Sequence, residues 1–216
     1  MTKNILYIDA TPDNAIPKQI IECVAKSFDY DVDCYTVTSR PALEKYFESI
    51  AVRKIDILYI AAHGNTDGIA LQSKNGANQG FIDWRDLATI ICAAEGLQQT
   101  STLFLACCDG GFKRAALILM ARCLDINTVA GLPCKLALSN EGLAFHTFVN
   151  HLHRNSDAQR IARAVTTATD QQFNIFFRHE MDAEIAQFAY FCGDLWLTDK
   201  ERISNEQQAD NLEDAA

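Results

Sequence analysis

Ile55-Asp56-Ile57-Leu58-Tyr59-Ile60-Ala61-Ala62-His63-Gly64 and Thr102-Leu103-Phe104-Leu105-Ala106-Cys107-Cys108-Asp109-Gly110-Gly111 decide the reading of this chain. Each is an apolar run of strand length that stops at a reactive side chain and a glycine. Apolar runs without alternation suit strands of a parallel sheet buried on both faces. In open α/β sheets, chemistry collects at the carboxyl ends of such strands. If the two strands are neighbours, an imidazole and a thiol meet at that edge.

Working outward, Asn4 to Asp9 reads as a first strand, ended by Thr11-Pro12-Asp13. Residues from about Ile16 to Phe28 place Ile20, Ile21, Val24, Ala25 and Phe28 at helical spacing. Val32 to Val37 alternates and belongs nearer a sheet edge. Ser39 is a candidate cap for a helix over Arg40 to Ile50, with Leu43, Tyr46, Phe47 and Ile50 inward.

Between the two central strands, Ile69-Leu71 and Phe81-Ile82 flank a polar segment, Gln72 to Gly80, and predict a β-hairpin beside the site. A helix from about Asp83 to Ala94 then returns the chain, giving a right-handed crossover and parallel neighbours. Phe112 to Leu124 reads as an apolar helix and Asn127 to Leu132 as a strand. Asn140 or Ser139 is a candidate cap for a helix reaching His153, and Asp157 to Thr169 forms another. Asn174 to Phe177 resembles a strand, while Ala183 to Cys192 is ambiguous. This order predicts one α/β domain over residues 1–198. Residues 199–216 hold six acidic and two basic residues and read as a mobile acidic tail.

Composition bounds the function. The chain has 216 residues, 49% apolar and 22% charged, ordinary for a globular protein with a sizeable core. A formal net charge of −9 opposes direct nucleic-acid binding over a large phosphate surface. The first residues lead straight into a strand without a signal-peptide pattern, and no apolar run reaches a membrane-spanning ~18 residues. The expectation is a cytoplasmic protein with no membrane partner. Eight cysteines include no C-x-x-C pair, so disulfide, zinc and thioredoxin-type readings have little support. Most read as buried reduced thiols, with Cys107 and Cys108 the exceptions. His146, His151 and His153 do not share one helix face and have no converging thiol or carboxylate. Asp109-Gly110-Gly111-Phe112-Lys113-Arg114 is not a Walker-type phosphate loop. No metal or cofactor is expected.

A nucleophilic cysteine needs a lowered pKa or a neighbouring base, and donors for the oxyanion formed on attack at a carbonyl. Cys107 precedes a Gly-Gly turn into a helix whose N-terminus would favour thiolate. His63 is placed to act as base and then acid. The backbone amides of Gly64 and Cys107 are candidate oxyanion donors. Asp109 can orient a neighbour, shape the pocket or cap the following helix. Taken singly, His63 also reads as a loop histidine and Cys107 as a buried thiol; their joint placement argues for chemistry.

His-Gly ending one strand and Ala-Cys-x-x-Gly ending the next resembles caspase-like cysteine peptidases, here His63-Gly64 and Ala106-Cys107-Cys108-Asp109-Gly110. Cys107 follows His63 by 44 positions, against about 50 in caspases. The caspase wording around the cysteine is absent. The bacterial CHAT peptidases fit over a longer span, roughly Ile55 to Thr169, including Val129-Ala130-Gly131-Leu132 and Ser139-Asn140-Glu141-Gly142-Leu143-Ala144-Phe145. The resemblance implies a three-layer α/β/α caspase-like fold with a mainly parallel central sheet and a small hairpin near the site. It further implies a thiol endopeptidase with a His63–Cys107 dyad, acting on a protein or peptide through a thioester acyl-enzyme. Members are often held inactive until an activating protein or ligand orders their loops, and the Gln72 to Gly80 segment is the candidate mobile element. Cys107 matches the nucleophile position; Cys108 departs from the pattern and, with Asp109 and Gly110, is a candidate for shaping the site. The alternative is a catalytically inactive caspase-like domain serving as a protein-interaction or regulatory module.

Overall fold

The structure is a computed structural model that describes residues 3–11, 18–50, 54–72, 78–133 and 140–192. Its centre is a six-stranded sheet in the order β2-β1-β3-β7-β8-β9. The strands are β1 (Lys3–Asp9), β2 (Tyr30–Thr36), β3 (Ile57–Ala61), β7 (Thr102–Ala106), β8 (Thr128–Gly131) and β9 (Asn174–Phe177). All neighbours are parallel except β8 and β9, which run antiparallel. Every residue of β3 and β7 is buried, as their unbroken apolar runs require. The alternating β2 lies at an edge, in agreement with its sequence.

Helices cover both faces. The chain steps from β1 out to β2 through α1 (Lys18–Ser27), then reverses across β1 to β3 through α2 (Arg40–Ser49). Crossovers of constant hand send their helices to opposite faces when the direction of travel reverses. Accordingly Ile21 and Val24 of α1 pack with Ile5, Tyr7, Tyr59 and Phe104 on one face. Leu43 and Phe47 of α2 pack with Leu6, Ile8, Leu58 and Leu105 on the other. The next two crossovers keep that direction, and α3 (Trp84–Ala93) and α4 (Lys113–Arg122) join the α2 face. Helices α5 (Glu141–His153) and α6 (Ala158–Thr169) cover the α1 face, and α7 (Arg178–Cys192) returns to the other.

The reversal leaves a switch point between β1 and β3, where an open α/β sheet forms its crevice. Beside it lies a second, three-stranded antiparallel sheet of β4 (His63–Asn65), β5 (Gly68–Gln72) and β6 (Asn78–Asp83). The expected hairpin is therefore present as β5–β6, with a register shift at Leu71/Gln72. His63 is not the last residue of β3, however. The strand stops at Ala61 and His63 opens β4.

Several boundaries follow from identifiable contacts. Asp83 caps α3 by accepting from the Asp86 amide at 2.7 Å, and Asp157 caps α6 through the Arg160 amide at 2.7 Å. Asn140 precedes α5, but its side chain donates to the Thr169 carbonyl at 2.8 Å and makes no cap bond. The ambiguous stretch from Ala183 belongs to α7. Not all C-terminal aromatics are core: Phe173 is buried, whereas Tyr190 is 83% exposed. Nor are most described cysteines buried, since Cys23 and Cys92 are exposed and Cys34 and Cys108 intermediate. Pro12-Asp13, Ser139, residues 73–77 of the polar segment, Trp196 and the acidic tail lie outside the described residues.

Candidate active site

Strands β3 and β7 are direct parallel neighbours, with Ala61 opposite Ala106. The Ala62 amide donates to the Ala106 carbonyl at 3.2 Å, carrying the pairing one step further. His63 and Cys107 thus leave adjacent strands at the same edge of the sheet. β4 then folds against the Cys107–Cys108 backbone. A Cβ placed on Gly64 would sit 2.4 Å from the Cys108 carbonyl oxygen and 3.2 Å from Cys107 Sγ. Only a glycine admits that approach.

The turn after β7 is equally close-packed. A Cβ on Gly110 would lie 2.7 Å from Cys107 Sγ, and one on Gly111 would meet the Gly131 carbonyl at 2.3 Å. Asp109 adopts φ 60°, the left-handed conformation that Asp tolerates better than most residues. The Gly110 amide donates to the Cys107 carbonyl at 3.3 Å, and the Phe112 amide to the Asp109 carbonyl at 3.2 Å. Helix α4 starts only at Lys113, with Phe112 at its cap and no side-chain cap bond. Asp109 therefore does not cap it.

This arrangement corrects the expectation of a thiol lowered by the helix. Cys107 is 0% exposed, and burial drives its pKa well above that of an ordinary thiol. Cys108, Glu141 and Asp109 add to the rise, while a hydrogen bond from the Gly110 amide opposes it. The helix dipole acts within about one turn of its first residue, and Cys107 stands six residues ahead of Lys113. Desolvation wins.

His63 is partly buried, and its Nε2 has no hydrogen-bond partner among the described residues. A buried unpaired ring nitrogen costs about 1–3 kcal/mol unless something satisfies it. Here it lies one residue from the glycine packed against the thiol.

Glu141 is the site-facing residue that sequence reading missed as an ionisable group. It is 1% exposed at the start of α5, and its carboxylate accepts from the Tyr59 hydroxyl. Burial raises its pKa to about 7, with Asp9 adding to the rise and the Tyr59 hydrogen bond opposing it. Asp9 ends β1 opposite Ala61 and accepts from the Thr11 amide at 3.0 Å; burial raises its pKa too. Tyr7 and Tyr59 pack at 5.2 Å between these carboxyls and the Phe104–Phe145 cluster. The Tyr59–Glu141 pair thus places a buried carboxyl near the thiol, with half-buried Asp9 at the end of β1, while the buried Tyr7 hydroxyl has no hydrogen-bond partner among the described residues. A buried Glu inside an Asn-Glu-Gly opening of a helix looks like an ordinary first-turn acid in sequence.

The three helix histidines do not converge. His146 and His153 pack around Phe28, each at 5.4 Å, while His151 faces Ser156 Oγ at 3.3 Å. Among the described residues no group of three or more His, Cys, Asp or Glu is arranged to hold a metal ion. Among the described residues, a cavity of about 220 Å³ between α2 and α3 and one of about 460 Å³ beside Phe112 and Asn174 are lined by neither His63 nor Cys107. No described helix is long and apolar enough to cross a membrane. Against known proteins, the chain matches no family model and no curated sequence.

Proposed function

We propose that this protein is a caspase-like cysteine peptidase of the CHAT type, with a closed site that must open to act. The observation that carries the reading is the unpaired, buried Nε2 of His63 on the strand whose next residue packs against Cys107 Sγ. The parallel β3–β7 pair, the accompanying antiparallel sheet and helices on both faces agree with the three-layer fold that the motifs imply.

In this mechanism His63 takes the Sγ proton as sulfur attacks the peptide carbonyl carbon. The carbonyl electrons move onto oxygen, where the Gly64 and Cys107 amides stabilise the charge. Collapse breaks the C–N bond, and protonated His63 gives its proton to the departing amine. His63 then deprotonates water, which attacks the thioester; the sulfur leaves and is reprotonated. Cys108, Asp109 and Gly110 shape the turn around the nucleophile. Full burial of Cys107 and its raised pKa mean that the resting site is not poised. An activating protein or ligand that shifts β4–β6 or the Cys107–Gly111 turn would expose the sulfur and let His63 reach it.

The same burial favours a second reading, a catalytically silent domain of this fold that binds a partner. Alkylation by a peptide-derived electrophile separates the two. A peptidase site labels at Cys107, with lysate fractions accelerating the reaction and His63→Ala abolishing the acceleration. Labelling of Cys107 no faster than that of exposed Cys23 under every condition favours the silent domain.

A further inference from the structure

Away from this site, Cys92 in the last turn of α3 faces Cys123, the residue that ends α4. Cys92 is exposed and Cys123 buried. Their sulfurs interlock with each other's backbone. Cys92 Sγ donates to the Arg122 carbonyl at 3.7 Å, one residue before Cys123. Cys123 Sγ donates to the Ala88 carbonyl at 3.3 Å, four residues before Cys92. Each sulfur therefore lies against the helix turn that carries the other.

We infer that Cys92 and Cys123 are a redox-active dithiol, in which exposed Cys92 reacts with peroxide and buried Cys123 resolves it to a disulfide joining α3 and α4. The chemistry divides between them according to their surroundings. Cys92 is lowered to about 6, first by its neighbour Cys123 and then, against burial, by the Arg122 charge. Cys123 is raised, first by its neighbour Cys92 and then by burial, and keeps the proton it gives to the Ala88 carbonyl. The exposed sulfur is therefore the one that gives up its proton more readily, and the buried one keeps its own.

The steps balance. Cys92 thiolate attacks one oxygen of hydrogen peroxide, the O–O bond breaks, and the hydroxide released takes a proton, leaving a sulfenic acid and water. Cys123 sulfur then attacks the sulfenic sulfur, and its proton leaves with the sulfenic oxygen as a second water. Two thiols lose two electrons and one peroxide gains them. The pairing of a low-pKa, accessible sulfur with an adjacent resolving thiol distinguishes this pair from exposed Cys23. The bridge would fasten two helices that cover the same face of the sheet. This inference stands apart from the peptidase reading.

The test treats the full-length protein with graded hydrogen peroxide, blocks free thiols in denaturant and maps the digest by mass spectrometry. The expected product is a Cys92–Cys123 cross-linked peptide pair, two hydrogens lighter, formed at doses that leave Cys23 free and reversed by dithiothreitol. Without peroxide, native Cys92 should alkylate at pH 7 roughly tenfold faster than Cys23. Cys92→Ala, at an exposed position, should fold and give no cross-link to Cys123. The inference is overturned if Cys92 accumulates as sulfinic acid with Cys123 still alkylatable. It is equally overturned if Cys92 alkylates no faster than Cys23, or if oxidation pairs either cysteine with another partner.

Discussion

Gly64 and Cys107 are locked together across the edge of the sheet: any Cβ at position 64 would press on Cys107 Sγ at 3.2 Å and on the Cys108 carbonyl at 2.4 Å. The carbonyl contact is with backbone and cannot be relieved by turning a side chain. Gly64→Ala must therefore push β4 away from the Cys107 turn. Overpacking of this kind costs about 1–3 kcal/mol. A lowered urea midpoint with faster alkylation of Cys107 is the expected result, because separating the two segments opens the thiol to solvent.

Glu141 gives folding a pH dependence. Its pKa is raised from the ordinary carboxyl range to about 7, chiefly by burial. Between about pH 4.5 and 7 the unfolded chain has released this proton while the folded one retains it. Stability from this group is thus full below the unfolded value and falls as pH rises to 7, by about 3 kcal/mol in all. Glu141→Gln keeps an acceptor for Tyr59 and removes the charge. Urea unfolding across pH 4.5–8 should show the variant gaining stability relative to wild type as pH rises.

Tyr59→Phe tests the other half of the same bond. It leaves the carboxyl buried without its hydroxyl donor, at a cost of about 1–3 kcal/mol. That donor favours the ionised form of Glu141, so the loss should be greater at pH 8 than at pH 5. Equal destabilisation at both would indicate a packing effect alone.

Reactivity of Cys107 should respond to Glu141 as well. The carboxylate is one of the groups that raise the thiol, after burial and Cys108. Alkylation of Cys107 at pH 8 should therefore be faster in Glu141→Gln than in wild type. The change should stay modest, because burial is the first cause and the substitution leaves it intact.

The central strands were readable because β3 and β7 carry unbroken apolar runs, and β2 because Tyr30, Val32 and Cys34 alternate with exposed Asp31, Asp33 and Tyr35. The separate strand at His63 was not. Three residues, His63-Gly64-Asn65, are too few to carry a periodic signal, and their pairing depends on β5. The antiparallel course of β9 likewise has no local signature. Glu141 was invisible as a buried acid because its partner, Tyr59, lies 82 residues away. The Gly-Gly turn into α4 was legible, whereas the full burial of Cys107 was not, because it depends on contacts with Gly64 in a separate strand. Cys92 reads with most of the cysteines as a buried thiol among apolar neighbours, but it is exposed in the last turn of α3.

Turnover of a peptide library tests the peptidase reading most directly, with protein alone and with lysate fractions added to supply an activator. The account predicts hydrolysis that falls by at least roughly a thousandfold in Cys107→Ala and in His63→Ala, and survives in Cys108→Ala. Hydrolysis that persists in Cys107→Ala, is lost only in Cys108→Ala, or is absent from wild type under every condition would contradict it.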